Sequence, residues 1–228
     1  MKHSSSLAFL TLILGACTNP TPSKDTAAEE PAEAWDYEAH VAKRTAEIDA
    51  APVECGGVLF VGDSITDAGG DWTRWFPGVV TSNQGIGGDQ TRAVLARMDQ
   101  VTRGTPERVF LMIGTNDLPG GTPKAAAEGA IAVAAAIRRG LPDAELYVQS
   151  VLPRGTDLAD EVRAVNARLA AAAGEGGYTY LDLHSRFATP EGTLRPELTY
   201  DDLHLEEAGY ALWAELIDEC VRRGCDGE

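Results

Sequence analysis

Five short apolar runs, separated by segments of helical periodicity, predict an α/β protein: a three-layer α/β/α sandwich around a five-stranded parallel sheet. A second observation agrees. Ser64, Gly88 and Asn116 each stand a few positions past one of these runs, so a parallel sheet gathers them at its carboxyl edge, where such sheets form their binding crevice. The chain has 228 residues, 44% hydrophobic and 24% charged, enough for one domain with a full core.

In chain order, Lys2 and the apolar stretch 7–14 form a leader too short to span a bilayer, followed by Leu14-Gly15-Ala16-Cys17. That tetrapeptide resembles a bacterial lipobox. The resemblance implies a signal peptide over 1–16, cleavage before Cys17, lipidation of Cys17 and residence in the bacterial cell envelope, held to a membrane by its acyl chains. An ordinary secretory leader with an incidental cysteine is the alternative. Residues 18–34 are rich in Pro, Thr, Ala and Glu without Val, Leu or Ile, so they bury too little apolar surface to offset ordering. We read 17–34 as a lipidated flexible tether and 35–228 as the domain. Over 35–50, Tyr37, Val41 and Ile48 fall near one helical face and predict a leading helix packed on the domain.

The strands are predicted at 58–61, 79–82, 108–113, 145–150 and 178–181. Between the second and third, Asp89 is placed to cap a helix carrying Val94, Met98 and Val101. Thr122 and Pro123 open an alanine-rich helix over 124–139 that Gly140 closes. Leu158, Val162, Val165 and Leu169 recur at helical spacing before Gly174, as do Leu212, Leu216 and Cys220 in a final helix.

The residue types that carry chemistry cluster just past these runs. Gly62-Asp63-Ser64-Ile65-Thr66 comes directly after 58–61, and Asp201-Asp202-Leu203-His204 stands near the C-terminus. A hydroxyl is a poor nucleophile until an imidazole takes its proton, and the imidazole needs a carboxylate to fix its tautomer. Between them stand Asn83-Gln84-Gly85-Ile86-Gly87-Gly88-Asp89 and Gly114-Thr115-Asn116-Asp117, a glycine-rich loop and an asparagine amide that can supply N–H donors to a developing oxyanion. Each block has a plainer reading: Ser64 as a helix cap, His204 as a satisfied histidine, Asp63 and Asp117 as acceptors for loop backbone. The run at Gly85, Gly87 and Gln90 lacks the third glycine of a dinucleotide loop. Asp63, Asp67, Asp117 and Asp201 could instead gather a divalent cation. Trp72, Trp75 and Phe76 either wall the pocket or pack in the core, and Asp182-Leu183-His184 reads as structural.

The blocks GDSIT, NQGIGGD, GTND and DDLH, in this order, resemble the SGNH hydrolases, also called the GDSL family; the similarity covers roughly 58–216. It implies the flavodoxin-like SGNH fold, Ser64 as nucleophile, His204 as general base and Asp201 as its orienting carboxylate, with Asp202 in reserve. The resemblance also implies an oxyanion hole made of the Ser64 N–H, the Gly88 N–H and the Asn116 amide, and calls for no metal or cofactor. The pieces GIGGDQT and YDDLHLEEAGY are similar to the branch of platelet-activating-factor acetylhydrolase catalytic subunits and bacterial carbohydrate acetylesterases. The expected activity is therefore hydrolysis of a short acyl ester, acetyl above all, on a carbohydrate through an acyl-enzyme intermediate, with a small-molecule or glycan ester as the partner. A lysophospholipase or thioesterase is the alternative, and a non-catalytic surface-anchored binding protein the rival from another class.

The formal net charge of −16 disfavours nucleic acid and anionic lipid head groups as partners, leaving the lipid anchor as the only expected membrane contact. Oligomeric state stays open. Past Cys17 the cysteines are Cys55, Cys220 and Cys225, which allow one bridge and one leftover thiol. Cys55 precedes the first strand and the others end the last helix, so the expectation is a staple joining the two ends of the domain.

Overall fold

The computed structural model describes Met1, residues 35–51, residue 53 and residues 55–225. Past Met1, the expected signal peptide, the expected lipidation at Cys17 and the expected tether lie outside these residues. Asp36–Glu228 forms one compact unit.

A first helix, α1 (Tyr37–Ala50), is capped by Asp36, whose carboxylate accepts from Ala39 N at 3.0 Å. The chain then runs β1 (Val58–Gly62), α2 (Ser64–Asp67), β2 (Thr81–Gly85), α3 (Thr91–Ala96), α4 (Met98–Val101), β3 (Arg108–Met112), α5 (Pro123–Gly140), β4 (Glu145–Gln149), α6 (Ala159–Gly176), β5 (Thr179–Leu181), α7 (His184–Phe187) and α8 (Glu207–Arg223). All strand pairs are parallel, in the order β2-β1-β3-β4-β5. This is the predicted sandwich. The order reverses between β1 and β3, and the carboxyl ends of those strands flank the crevice that such a reversal opens.

Alternation along β1 and β3 builds a core on each face. Leu59, Val61, Val109 and Leu111 pack with the alanine-rich side of α5 and with Val162, Val165 and Leu169 of α6. Val58, Phe60, Phe110 and Met112 point the other way, against Trp72, Phe76, and Trp213, Ile217 and Val221 of α8. With both faces covered, these central strands need apolar residues at every position, which is why they read as unbroken runs.

Three expectations are corrected, and one open alternative is decided. The second strand is Thr81–Gly85, not 79–82: pairing of Val58 with Thr81 sets its register, and Val80 is exposed. It is an edge strand of polar residues, and an apolar run is a poor guide to such a strand. Asp89 does not cap the following helix. Asp117 does so from another loop, accepting from Thr91 N at 3.0 Å and Thr91 Oγ1 at 2.7 Å, while Asp89 pairs with Arg97 Nε at 3.0 Å. Arg97 also interrupts the helix, dividing it into α3 and α4. Trp72 and Phe76 are core residues stacked with Phe60; only Trp75 keeps partial exposure, with the Arg74 guanidinium over its ring. Finally, the disulfide joins Cys220 to Cys225, and Cys55 is an exposed free thiol. Turning at Gly224 brings Cys225 back on Cys220, and the Tyr147 hydroxyl accepts from Cys225 N at 2.9 Å, so the bridge is local to the end of α8.

Candidate active site

The Gly62-Asp63-Ser64 turn leaves β1 at its carboxyl end and enters α2. Gly62 is required by close approach: a Cβ there would lie 2.2 Å from Thr66 Oγ1 and 2.5 Å from the Met112 carbonyl. Asp63 is buried and caps α2, accepting from Ile65 N at 3.0 Å. Burial pushes its carboxyl up to about 7, helped by the charges of Asp89 and Asp117, although the Ile65 hydrogen bond and Arg154 oppose the shift. Ser64 is the first residue of α2, so its N–H has no intrahelical acceptor.

The loop before α8 reaches this point from the far end of the chain. His204 Nε2 lies 3.0 Å from Ser64 Oγ, and His204 Nδ1 lies 2.6 Å from Asp201 Oδ2. The other Asp201 oxygen accepts from His204 N at 2.7 Å and Leu203 N at 3.1 Å, which locks the carboxylate beneath the ring. Burial pushes the Asp201 carboxyl up, but the hydrogen bonds from the His204 ring and backbone outweigh it and hold it below its usual range. Asp202 is exposed and adopts a left-handed backbone, φ 62°, with the job of turning the chain between Asp201 and His204. The ring of Tyr200, 64% exposed, stacks alongside His204 at 5.8 Å and 13°.

Gly88 and Asn116 follow β2 and β3 and are laced together. The Asn116 amide donates to the Asp89 carbonyl at 3.0 Å, and Gln90 Nε2 donates back to the Asn116 carbonyl at 2.8 Å. An amide carries two hydrogens, so the second remains for a ligand oxygen. Gly88 has φ 83°, and a Cβ there would press on the Tyr37 ring at 2.9 Å; only glycine fits. The Gly88 N–H has no acceptor among the described residues. Arg154, from the loop after β4, donates to the Thr115 carbonyl at 3.0 Å and steadies the Asn116 turn.

The sequence-predicted residues thus meet at one edge, and the remaining candidates take separate places. Asp67 pairs with Arg44 Nε at 2.8 Å and His40 Nε2 at 2.9 Å, Asp117 caps α3, and among the described residues no three His, Cys, Asp or Glu side chains gather as metal ligands. Asp182 accepts from Ser185 N at 3.1 Å, and His184 N donates to Ser150 Oγ at 2.7 Å; burial holds the His184 ring below its ordinary pKa.

A profile of the GDSL-like lipase/acylhydrolase family matches residues 60–212. The chain belongs to that family. It is 33% identical to the bovine platelet-activating factor acetylhydrolase IB subunit alpha1 over 162 residues, 67% of this chain and 69% of that protein. The rat alpha2 subunit is 30% identical over 173 residues, 72% and 75% of the two chains. Among solved structures, a GDSL-like lipase from Bacteroides thetaiotaomicron superposes with a TM-score of 0.67 at 20% identity, covering 82% of this chain and 99% of that one. A Streptococcus pneumonia structure whose description names platelet activating factor gives 0.71 at 24% identity, covering 81% and 92%. As a GDSL acylhydrolase, the protein is a hydrolase acting on esters.

Several GDSL-site neighbours were not legible in advance. Tyr37, His40 and Arg44 all reach the Gly85–Asp89 loop from α1, which precedes the matched residues. Their i, i+3, i+7 spacing is a polar stripe on one helical face, and that stripe was the available signal.

Proposed function

We infer that the protein is a serine esterase that removes short acyl groups, acetyl above all, from carbohydrate esters. The observation that carries this reading is the continuous relay from Ser64 Oγ through the His204 ring to Asp201. Asp201 accepts a hydrogen bond from Nδ1–H and so fixes the tautomer that presents an Nε2 lone pair to the serine hydroxyl. Ser64 attacks the acyl carbon as its proton passes to Nε2. The carbonyl oxygen becomes an oxyanion received by the Ser64 N–H, the Gly88 N–H and the second Asn116 amide hydrogen. Collapse of the adduct expels the alcohol, which takes the proton from Nε2 and leaves Ser64 acylated. Water then attacks, giving its proton to His204, and the acid departs as Ser64 recovers that proton.

The acetylhydrolase names of the curated relatives support a short acyl group. The exposed Tyr200 face beside His204 suits a sugar ring on the leaving-group side. A lysophospholipid is the second reading, favoured by the lipobox-like sequence at Cys17, which would hold the enzyme at a membrane within the cell envelope.

Ser64→Ala should abolish hydrolysis of 4-nitrophenyl acetate and labelling by an organophosphonate while the folded circular dichroism spectrum is kept. An acyl-chain series run beside acetylated sugars should peak at acetyl and show turnover of the sugars. Preference for long chains or for lysophospholipid would overturn the substrate, and full turnover by Ser64→Ala would overturn the mechanism.

A further inference from the structure

The nucleophile and the Gly88 N–H sit on different elements, α2 and the loop after β2, so some interaction must fix their separation. Asp67 is the last residue of α2, three positions beyond Ser64, and Gly87 immediately precedes Gly88. His40 Nε2 donates to Asp67 Oδ2 at 2.9 Å, and the Gly87 N–H donates to the same carboxylate oxygen at 3.1 Å. The opposite Asp67 oxygen is held by Arg44 Nε at 2.8 Å, and the same guanidinium donates to the Gly85 carbonyl at 3.1 Å. Beyond Gly88, the Tyr37 hydroxyl donates to Asp89 at 3.2 Å, with its ring against the glycine. The loop is therefore gripped on both sides of Gly88 from α1.

We propose that His40 and Asp67 are positioning residues for ester hydrolysis: the pair ties α1, α2 and the Gly87 N–H together and so sets the distance between the Ser64 hydroxyl and the Gly88 N–H. This rests on the oxyanion role given to Gly88. The pair acts through Gly87 and touches no substrate. A donor displaced by a fraction of an ångström loses value mainly where the negative charge is greatest, in the transition state, so turnover falls while ground-state binding is kept.

The test compares His40→Ala, His40→Gln and Asp67→Asn with Asn116→Ala, Ser64→Ala and a core control, Ile137→Val in α5, on 4-nitrophenyl acetate well below every variant's melting temperature. His40→Ala should lower kcat about 10- to 100-fold, the scale on which misplacement acts, with KM within about twofold. His40→Gln, whose amide can still meet Asp67, should recover part of that loss, and Asp67→Asn should lower kcat at least about threefold. Affinity for a boronic acid that forms a tetrahedral adduct with Ser64 should fall in step with kcat, and Ile137→Val should leave both unchanged. If His40→Ala fails to fold, Asp67→Asn decides. Should His40→Ala and Asp67→Asn both keep kcat within about twofold of wild type while Asn116→Ala falls by about 10²- to 10³-fold, the positioning role is refuted and the oxyanion reading stands. Unimpaired turnover by Asn116→Ala would instead count against the oxyanion reading, and by Ser64→Ala against the nucleophile itself.

Discussion

At residue 63, an acidic side chain next to Ser64 is buried, and it is sustained by one backbone hydrogen bond and a distant guanidinium. Its folded pKa, about 7, stands above the 3.8 of an ordinary aspartate. The sign follows from linkage: between those values the folded protein binds more protons than the unfolded chain, so this group's contribution to stability is present below pH 4 and is lost as pH rises towards 7. Asp63→Asn keeps an oxygen for Ile65 N and removes the charge. Its stability relative to wild type, from urea denaturation at pH 4.5 and 7.5, should therefore be greater at the higher pH. An unchanged difference at the two pH values would assign the titration elsewhere. Ser64, Asp201 and His204 were legible because local motif spacing states which residue types belong together. Asp63's burial was not, because it depends on what the sheet places around it.

Helix α3 shows how elements depend on one another. Its first N–H and the Thr91 hydroxyl are satisfied by Asp117, 26 positions away, next to the Asn116 amide. One carboxylate thus caps a helix and anchors the turn that carries Asn116. Asp117→Ala should cost about 1–2 kcal/mol in chemical denaturation, the size of a lost cap; a change under about 0.3 kcal/mol would mean water replaces it. Sequence reasoning gave the cap to Asp89 because caps are usually local. The competing demand came from Arg97, whose guanidinium needs the Asp89 carboxylate and the Gln84 carbonyl at 2.7 Å. Edge strand β2 was displaced for a similar reason. Its Asn83 side chain ties β2 to the segment after Ser64, with Nδ2 within 2.8–3.1 Å of the carbonyls of Thr66, Asp67 and Gly70 and Oδ1 accepting from Gly85 N at 2.9 Å.

Among the described residues, the candidate site and the covalent staple lie towards opposite ends of the sheet. Ser64, Gly88 and Asn116 follow the carboxyl ends of their strands, whereas Cys225 docks on Tyr147, whose hydroxyl donates to Glu145 at the start of β4 at 2.6 Å. Cys220 and Cys225 are only five positions apart, so the bridge closes a small loop and limits unfolded-state entropy by no more than about 2 kcal/mol. Cys225→Ser should lower stability by up to that amount and leave kcat on 4-nitrophenyl acetate unchanged. A fall in kcat at a temperature where the variant is folded would reveal coupling along the sheet.

The order of residues is enough to specify the sandwich, its central strands and its long helices, because burial on one or both faces writes a period into neighbouring residues, and its short motifs name the residue types of the relay. Tertiary structure alone decided the register of β2, the remote cap from Asp117, the core positions of Trp72 and Phe76, the local pairing of Cys220 and the grip of α1 on the loop around Gly88. Each of these is a choice among partners that are chemically equivalent along the chain and unequal only in distance once it has folded.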